Sequence, residues 1–168
     1  CVERYRIRAS IGEKWELEME CEIRLAQGAD ATDISRVIIA SLRKTNAEDY
    51  SQDIIERVEK SFSPTAVSEL IGKRKVYVAL VNRDIVGTAS LDGRVVRTVF
   101  VAPGNQRQGI GRKLMEAVEK AARDEKIDVL SVPSTITAEA FYAGLGFTSM
   151  GNRYHGDERT IVMERKLV

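Results

Sequence analysis

The spacing of apolar positions changes period along the chain, and each change marks a different kind of element. Over residues 19–26, Cys21, Ile23 and Leu25 alternate with Glu22, Arg24 and Ala26, the period-two pattern of a half-buried strand. After Gly28 the period lengthens: Ile34, Val37, Ile38 and Leu42 recur at helical spacing, with Asp30 or Thr32 placed to cap the helix. A second helix is predicted from about Tyr50 to Phe62, turning Ile54, Ile55 and Val58 inward. Pro64 interrupts it, and a short amphipathic segment through Val67, Leu70 and Ile71 ends near Gly72.

At Lys75 β-branched and aromatic residues take over. Runs at 76–81, 85–91 and 95–101 are separated by the turn signals Asn82-Arg83-Asp84 and Asp92-Gly93, which predicts three antiparallel strands in a meander. The helical period returns from Gln108 to about Arg123, with Ile110, Leu114, Val118 and Ala121 on one stripe. A short strand at 128–132, a short helix over 138–143 ending near Gly144 or Gly146, and two strands around Phe147 and Ile161 complete the chain. Strand, helix, strand over 95–132 implies a parallel pair joined by a right-handed crossover, so the sheet is mixed and the class is α/β or α+β.

Composition narrows the classes. With 168 residues, 43% hydrophobic and 30% charged, the chain fits one domain with a sizeable core. No apolar run approaches the roughly 20 residues that span a bilayer, and the N-terminus lacks the apolar centre of a secretory signal, so the expectation is a cytoplasmic protein with no membrane partner. Cys1 and Cys21 have neither CxxC nor Cys/His spacing, so no metal site is expected. The chain begins with Cys1, and Met19 offers a second start. Residues 1–18 read as an N-terminal extension, a cloning remnant or an extra edge strand at Tyr5-Arg6-Ile7-Arg8. The 26 Lys and Arg nearly balance the 25 Asp and Glu, which argues against a nucleic-acid partner bound by bulk charge but leaves a small anion open.

Local chemistry concentrates in Val99-Phe100-Val101-Ala102-Pro103-Gly104-Asn105-Gln106-Arg107-Gln108-Gly109-Ile110-Gly111. An apolar strand runs into a turn and then into Gln-x-x-Gly-x-Gly at a helix start. Backbone N–H groups there have no intrahelical partner and, with the helix dipole, form an anion site that glycine lets a phosphate approach. Each dipole interaction contributes only about 0.3–1 kcal/mol when exposed, so several donors must act together. Arg107, Arg112 and Lys113 set cations beside the loop, and the expected ligand is a phosphate or pyrophosphate. A triphosphate P-loop needs GxxxxGK and a hydroxyl, which are missing; a dinucleotide fingerprint needs a third glycine where Leu114 stands.

These residues resemble the GCN5-related N-acetyltransferase (GNAT) family over about 19–167. The carriers are Val-Phe-Val-Ala-Pro, then Gln106-Arg107-Gln108-Gly109-Ile110-Gly111, and roughly 30 residues later Phe141-Tyr142 with Leu145-Gly146-Phe147. The resemblance implies the GNAT fold, a mostly antiparallel central sheet with helices on both faces, and a single acetyltransferase domain over 19–168. It implies acetyl-CoA as cosubstrate and an amine as acceptor, with acetyl passing directly between them, and it leaves a homodimer open. Gln106, Arg107, Gln108, Gly109, Ile110, Gly111 and Arg112 would hold the CoA pyrophosphate, and main-chain groups of Val99, Phe100 and Val101 its pantetheine arm, as an added strand would be held.

Tyr142 matches the tyrosine that serves the departing thiolate. A phenol near 10 and a thiol near 8.5 make full proton transfer uphill by about 2 kcal/mol, so a hydrogen bond to the developing charge is the better role. Where many relatives carry a Glu base, this chain has Arg97 and Thr98; Asp92 and His155 are the remaining bases to test. Ser134, Thr135 and Thr137 read as helix caps or as CoA contacts. The helical region over 30–72 would shape the acceptor pocket, with Asp49, Asp53 and Glu56 able to favour a cationic amine. A non-catalytic CoA-binding or protein-interaction module of the same fold is the rival reading, and an O-acyl or longer-chain acyl transferase a third; the module has no need of a phenol at 142.

Overall fold

In the computed structural model, residues 2–11, 15–44, 51–156 and 158–168 are described. Eight strands form one sheet: β1 (Glu3–Ile11), β2 (Trp15–Leu25), β3 (Lys75–Val81), β4 (Asp84–Asp92), β5 (Val95–Val101), β6 (Val129–Ser134), β7 (Thr148–His155) and β8 (Glu158–Lys166), in the order β1-β2-β3-β4-β5-β6-β8-β7. Every neighbouring pair is antiparallel except β5 and β6. The meander sits where the turn signals put it. Asn82 and Arg83 both take positive φ, 52° and 69°, the condition for a tight turn that matches strand twist.

Helices α1 (Ala31–Lys44), α2 (Gln52–Ser61) and α3 (Pro64–Lys73) lie between β2 and β3 in the chain, α4 (Ile110–Asp124) between β5 and β6, and α5 (Glu139–Gly144) between β6 and β7. Their starts show why the residues fold as they do. Asp30 does not cap α1. It lies in a preceding 3-10 turn, accepting from the Gln27 amide at 2.7 Å and held by the Arg24 guanidinium at 2.8 and 3.1 Å. Ser51 caps α2 and Ser63 caps α3, each accepting from the amide three residues on. Pro64 is the first residue of α3, where its missing N–H costs nothing. The Tyr50 end proposed for α2 lies outside the described residues.

The sheet separates two apolar layers. On one face the α4 stripe of Ile110, Leu114, Val118 and Ala121 packs against strand residues such as Ile23, Val96 and Leu130. On the other, Ile34, Val37 and Ile38 of α1 and Val67 of α3 cover Val76, Val78 and Leu80. Gly87 sets the α4 spacing: a Cβ there would stand 3.0 Å from Leu114 Cδ1, 3.3 Å from Ile110 Cγ2 and 3.3 Å from the Phe100 carbonyl. Residues 3–11 make a full antiparallel ladder with β2, from Glu3 opposite Ile23 to Ile11 opposite Trp15, and Ile7 is buried in the α4-side core. No helix among the described residues is long and apolar enough to cross a membrane.

Two irregularities fall in β5. The β4–β5 register slips between Thr88 opposite Phe100 and Ser90 opposite Arg97, and Thr98 takes φ 57°, an unfavourable angle for a β-branched residue. On the other side β5 meets β6 only at Val95 opposite Ser131. Beyond that bridge β6 continues along β8 through Val132, Pro133 and Ser134 while β5 stays with β4, so the sheet opens into a gap.

Candidate active site

The gap is the mouth of a cavity of about 720 Å³. One wall is β5, contributing Val99, Phe100 and Val101. The floor is the turn into α4, with Gln106, Arg107, Gly109, Ile110, Gly111 and Arg112, and the opposite wall is β6 and α5, with Val132, Pro133, Phe141 and Tyr142. Tyr142 and all but one of the residues expected to hold CoA therefore meet on one surface. The exception is Gln108, which does not line the cavity. Its Oε1 is buried without a partner, an orphan acceptor inside the loop.

Backbone geometry leaves amides without helical acceptors at the floor. Arg107 and Gly109 both take left-handed φ, 63° and 82°, turning the chain sharply just before α4. Gly109 occupies the N-cap with no side-chain cap, and the first helical bond runs from the Lys113 amide to the Gly109 carbonyl at 3.1 Å. The amides of Ile110, Gly111 and Arg112 thus have no helical acceptor. A Cβ on Gly109 would meet nothing within 4 Å, so the space above the loop is open. At Gly111 a Cβ would stand 3.2 Å from Phe141 Cζ, and the missing side chain lets α5 pack down on the loop. Of the three cations expected beside it, Arg107 and Arg112 line the cavity. Lys113 does not: its ammonium sits 4.5 Å from the Tyr5 ring centroid and 3.6 Å from Glu116.

Tyr142 stands across from the loop. It is 5% exposed, held edge-on between the Phe141 and Phe147 rings at centroid separations of 5.1 and 5.7 Å. Burial among these rings pushes the phenol pKa well up, so the group stays protonated. Thr135 accepts from the amide of Ala138, the α5 N-cap, at 3.2 Å and lines the cavity, as does Thr137; the buried Ser134 hydroxyl donates to the Thr135 carbonyl.

The two bases left open by the sequence fare differently. Asp92 is off the cavity wall and engaged by guanidinium groups, with Arg97 Nε at 3.2 Å and Arg74 Nε at 3.8 Å. The backbone of His155 ends β7, two strands away from β6, and its side chain lies outside the described residues, as does Asp49. Ser41 on α1 and Asn105 in the loop line the cavity without having been anticipated. For Ser41 a signal existed: it is a hydroxyl inside the apolar stripe of Ile34, Ile38 and Leu42, where packing alone would call for an aliphatic residue.

Comparison with known proteins agrees with this architecture. Residues 46–166 match the model of the acetyltransferase (GNAT) domain. The chain is 26% identical over 129 residues to YafP of Escherichia coli (strain K12), named an uncharacterized N-acetyltransferase, covering 77% of this chain and 82% of that protein. Among solved structures, the GCN5-related N-acetyltransferase of Rhodopseudomonas palustris superposes with a TM-score of 0.81 at 21% identity, over 86% of this chain and 94% of that one. The PaiA N-acetyltransferase of Thermoplasma acidophilum, in complex with coenzyme A, gives 0.77 at 20% identity, over 88% of this chain and 99% of that one. An opened β5–β6 seam above an uncapped glycine turn, within a chain that the domain model matches over most of its length, makes this protein a member of the GNAT acetyltransferase family.

Proposed function

We propose that the protein is an acetyl-CoA-dependent N-acetyltransferase, passing acetyl directly to an amine while both substrates are bound. The observation that carries this reading is the gap between β5 and β6, which has unpartnered helix amides at its floor and a buried phenol on the facing wall. Acetyl-CoA fits that shape, having a pyrophosphate for the floor and an extended amide chain for the open edge of β5; the Thermoplasma relative holds coenzyme A. When bound it supplies the acyl carbon and the thiol leaving group.

The chain's own groups divide the remaining work. Amides from Gln106 to Arg112, with the Arg107 and Arg112 side chains, hold the pyrophosphate. The main chain of Val99, Phe100 and Val101 aligns the pantetheine arm, as a strand would be held at a sheet edge. Tyr142 donates a hydrogen bond to the thiolate as the C–S bond breaks and the C–N bond forms; with its pKa raised by burial it acts as a neutral donor, and the thiol's proton arrives through water. The proton lost by the amine leaves through water too, since no carboxylate lines the cavity among the described residues. Cys21 is no acyl carrier: it is fully buried in the core and burial pushes its thiol up to about 11, away from the thiolate form. The catalytic domain is taken as 19–168, with β1 (Glu3–Ile11) adding the outer strand to its sheet.

The test is Gly109→Glu, which sets bulk, negative charge and an unfavourable φ in the floor. Calorimetry is expected to show acetyl-CoA binding in the parent protein and none in the variant. Equal affinity in the two would remove the loop from the site.

A further inference from the structure

The cavity continues past the acyl end of the gap to the opposite face of the sheet. Val99 and Val101 pack with the α4-side core, whereas Phe100 packs with the α1 and α3 side, where Thr98 also faces Ile34, Ile38 and Val67. Ser41 of α1 and Arg97 of β5 complete this second mouth. Three arginines line the cavity, and among the described residues no Asp or Glu does. Arg107 and Arg112, at the floor, are matched by the pyrophosphate. Arg97 has no such counterpart.

Its nearest carboxylate is shared. Asp92 faces both Arg97 and Arg74, two guanidinium groups against one carboxylate, and the Arg97 side chain remains 42% exposed. Only Nε of Arg97 bonds to Asp92; among the described residues its two terminal nitrogens meet no acceptor. Arg74 is bonded to Thr98 and is only 19% exposed, so its charge is fixed beside the same mouth. Among the described residues, a plain alkylammonium entering here would meet a net positive wall. An amine that brings its own anion would not.

Resting on the acetyltransferase reading, we propose that the acceptor is an aminocarboxylate, a small molecule of the amino-acid class whose carboxylate is bound by the terminal nitrogens of Arg97. A guanidinium fork suits a carboxylate held by two parallel hydrogen bonds. The same cation disfavours the ammonium form of the neighbouring amine, which assists deprotonation at a site whose described wall carries no carboxylate base. The balance is that of amide formation: the amine nitrogen bonds the acetyl carbon, the C–S bond breaks, the thiolate gains a proton, and the amine gives one up to water.

The experiment measures thiol release from acetyl-CoA with a panel of free L-amino acids and, for each, the amine that lacks only the carboxylate. Acetyl-CoA binding by calorimetry is run on the same preparations. Expected are turnover of one or more amino acids with kcat/KM at least about tenfold above the matched amine, and an Arg97→Gln variant that raises KM for that amino acid about tenfold or more. In the variant acetyl-CoA affinity and melting temperature stay at the parent values, and Arg97→Lys recovers part of the loss. Matched amines turned over as well as the amino acids, no turnover of either set, or an unchanged KM in Arg97→Gln would overturn the acceptor assignment while leaving the acetyltransferase reading intact, provided that acetyl-CoA binds. Failure of the parent protein to bind acetyl-CoA would overturn both.

Discussion

Tyr142 shows how a buried residue's surroundings decide what it can do. In water its phenol would already be too weak an acid to hand a proton fully to a thiolate, and packing between Phe141 and Phe147 weakens it further. It is therefore expected to act as an uncharged hydrogen-bond donor at every working pH. In a profile of kcat/KM from about pH 6 to about pH 10, activity should rise as the amine deprotonates and show no alkaline decline from Tyr142. Tyr142→Phe should lower kcat by about 10²-fold or more, with acetyl-CoA affinity nearly unchanged. A bell falling between pH 7 and 9, or a fully active phenylalanine variant, would return Tyr142 to a packing role. Legibility at this scale was uneven. Gly109 could be found because a helix start with glycine has one obvious chemical use. Lys113 misled, because successive helical residues point about 100° apart and closeness in sequence to the loop does not put a side chain on the cavity. The left-handed Thr98 left no trace, since a β-branched residue is the last one expected there.

Elements were easier to read than the way they join. The α-helices and strands from residue 19 onward were located to within a few residues, most by the period of their buried face and β3 and β4, buried almost throughout, as β-branched runs between turn signals. What periodicity does not carry is pairing between distant strands, and the placement of β8 between β6 and β7 is a case in point. Pro64 read as a break, and α2 does end at Ser61; that the proline is also the first residue of α3 depends on Ser63 accepting from the Ala66 amide. The closeness of α4 to β4 depends on Gly87, whose missing side chain lets Leu114 and Ile110 reach the strand. Gly87→Val would have to displace both side chains and the Phe100 region, and overpacking of this kind costs about 1–3 kcal/mol. Thermal unfolding should show a melting temperature lower by at least several degrees, with weaker acetyl-CoA binding because the helix carrying the floor moves. An unchanged melting temperature would mean that α4 can shift freely.

For the whole molecule, the first eighteen residues are the part that the sequence left most open. They begin with alternating charged and apolar residues that could equally edge a sheet or trail in solvent. The structure has β1 paired along β2, with Ile7 inside the same core as Leu114 and Val118. A chain starting at Met19 loses that ladder and the burial of Ile7, which alone contributes about 1.5–3 kcal/mol. Its melting temperature should fall by about 5 °C or more in calorimetric scans, and retention of the parent value would make the segment dispensable.

The order of the strands also bears on how the chain reaches this state. From β1 to β5 each strand pairs with its neighbour in sequence, β2 with β3 across the α1–α3 region, so none of these pairings needs a later strand. The remaining three strands must wait for β8, since β6 pairs with it and β7 only with it. The two halves share one strand-to-strand pairing, Val95 with Ser131, and the cavity lies along that join. A chain stalled after its fifth strand would lack both α4, which covers Ile23 and Val96 on one face of the sheet, and the wall carrying Tyr142, so neither that core nor the cavity would be complete.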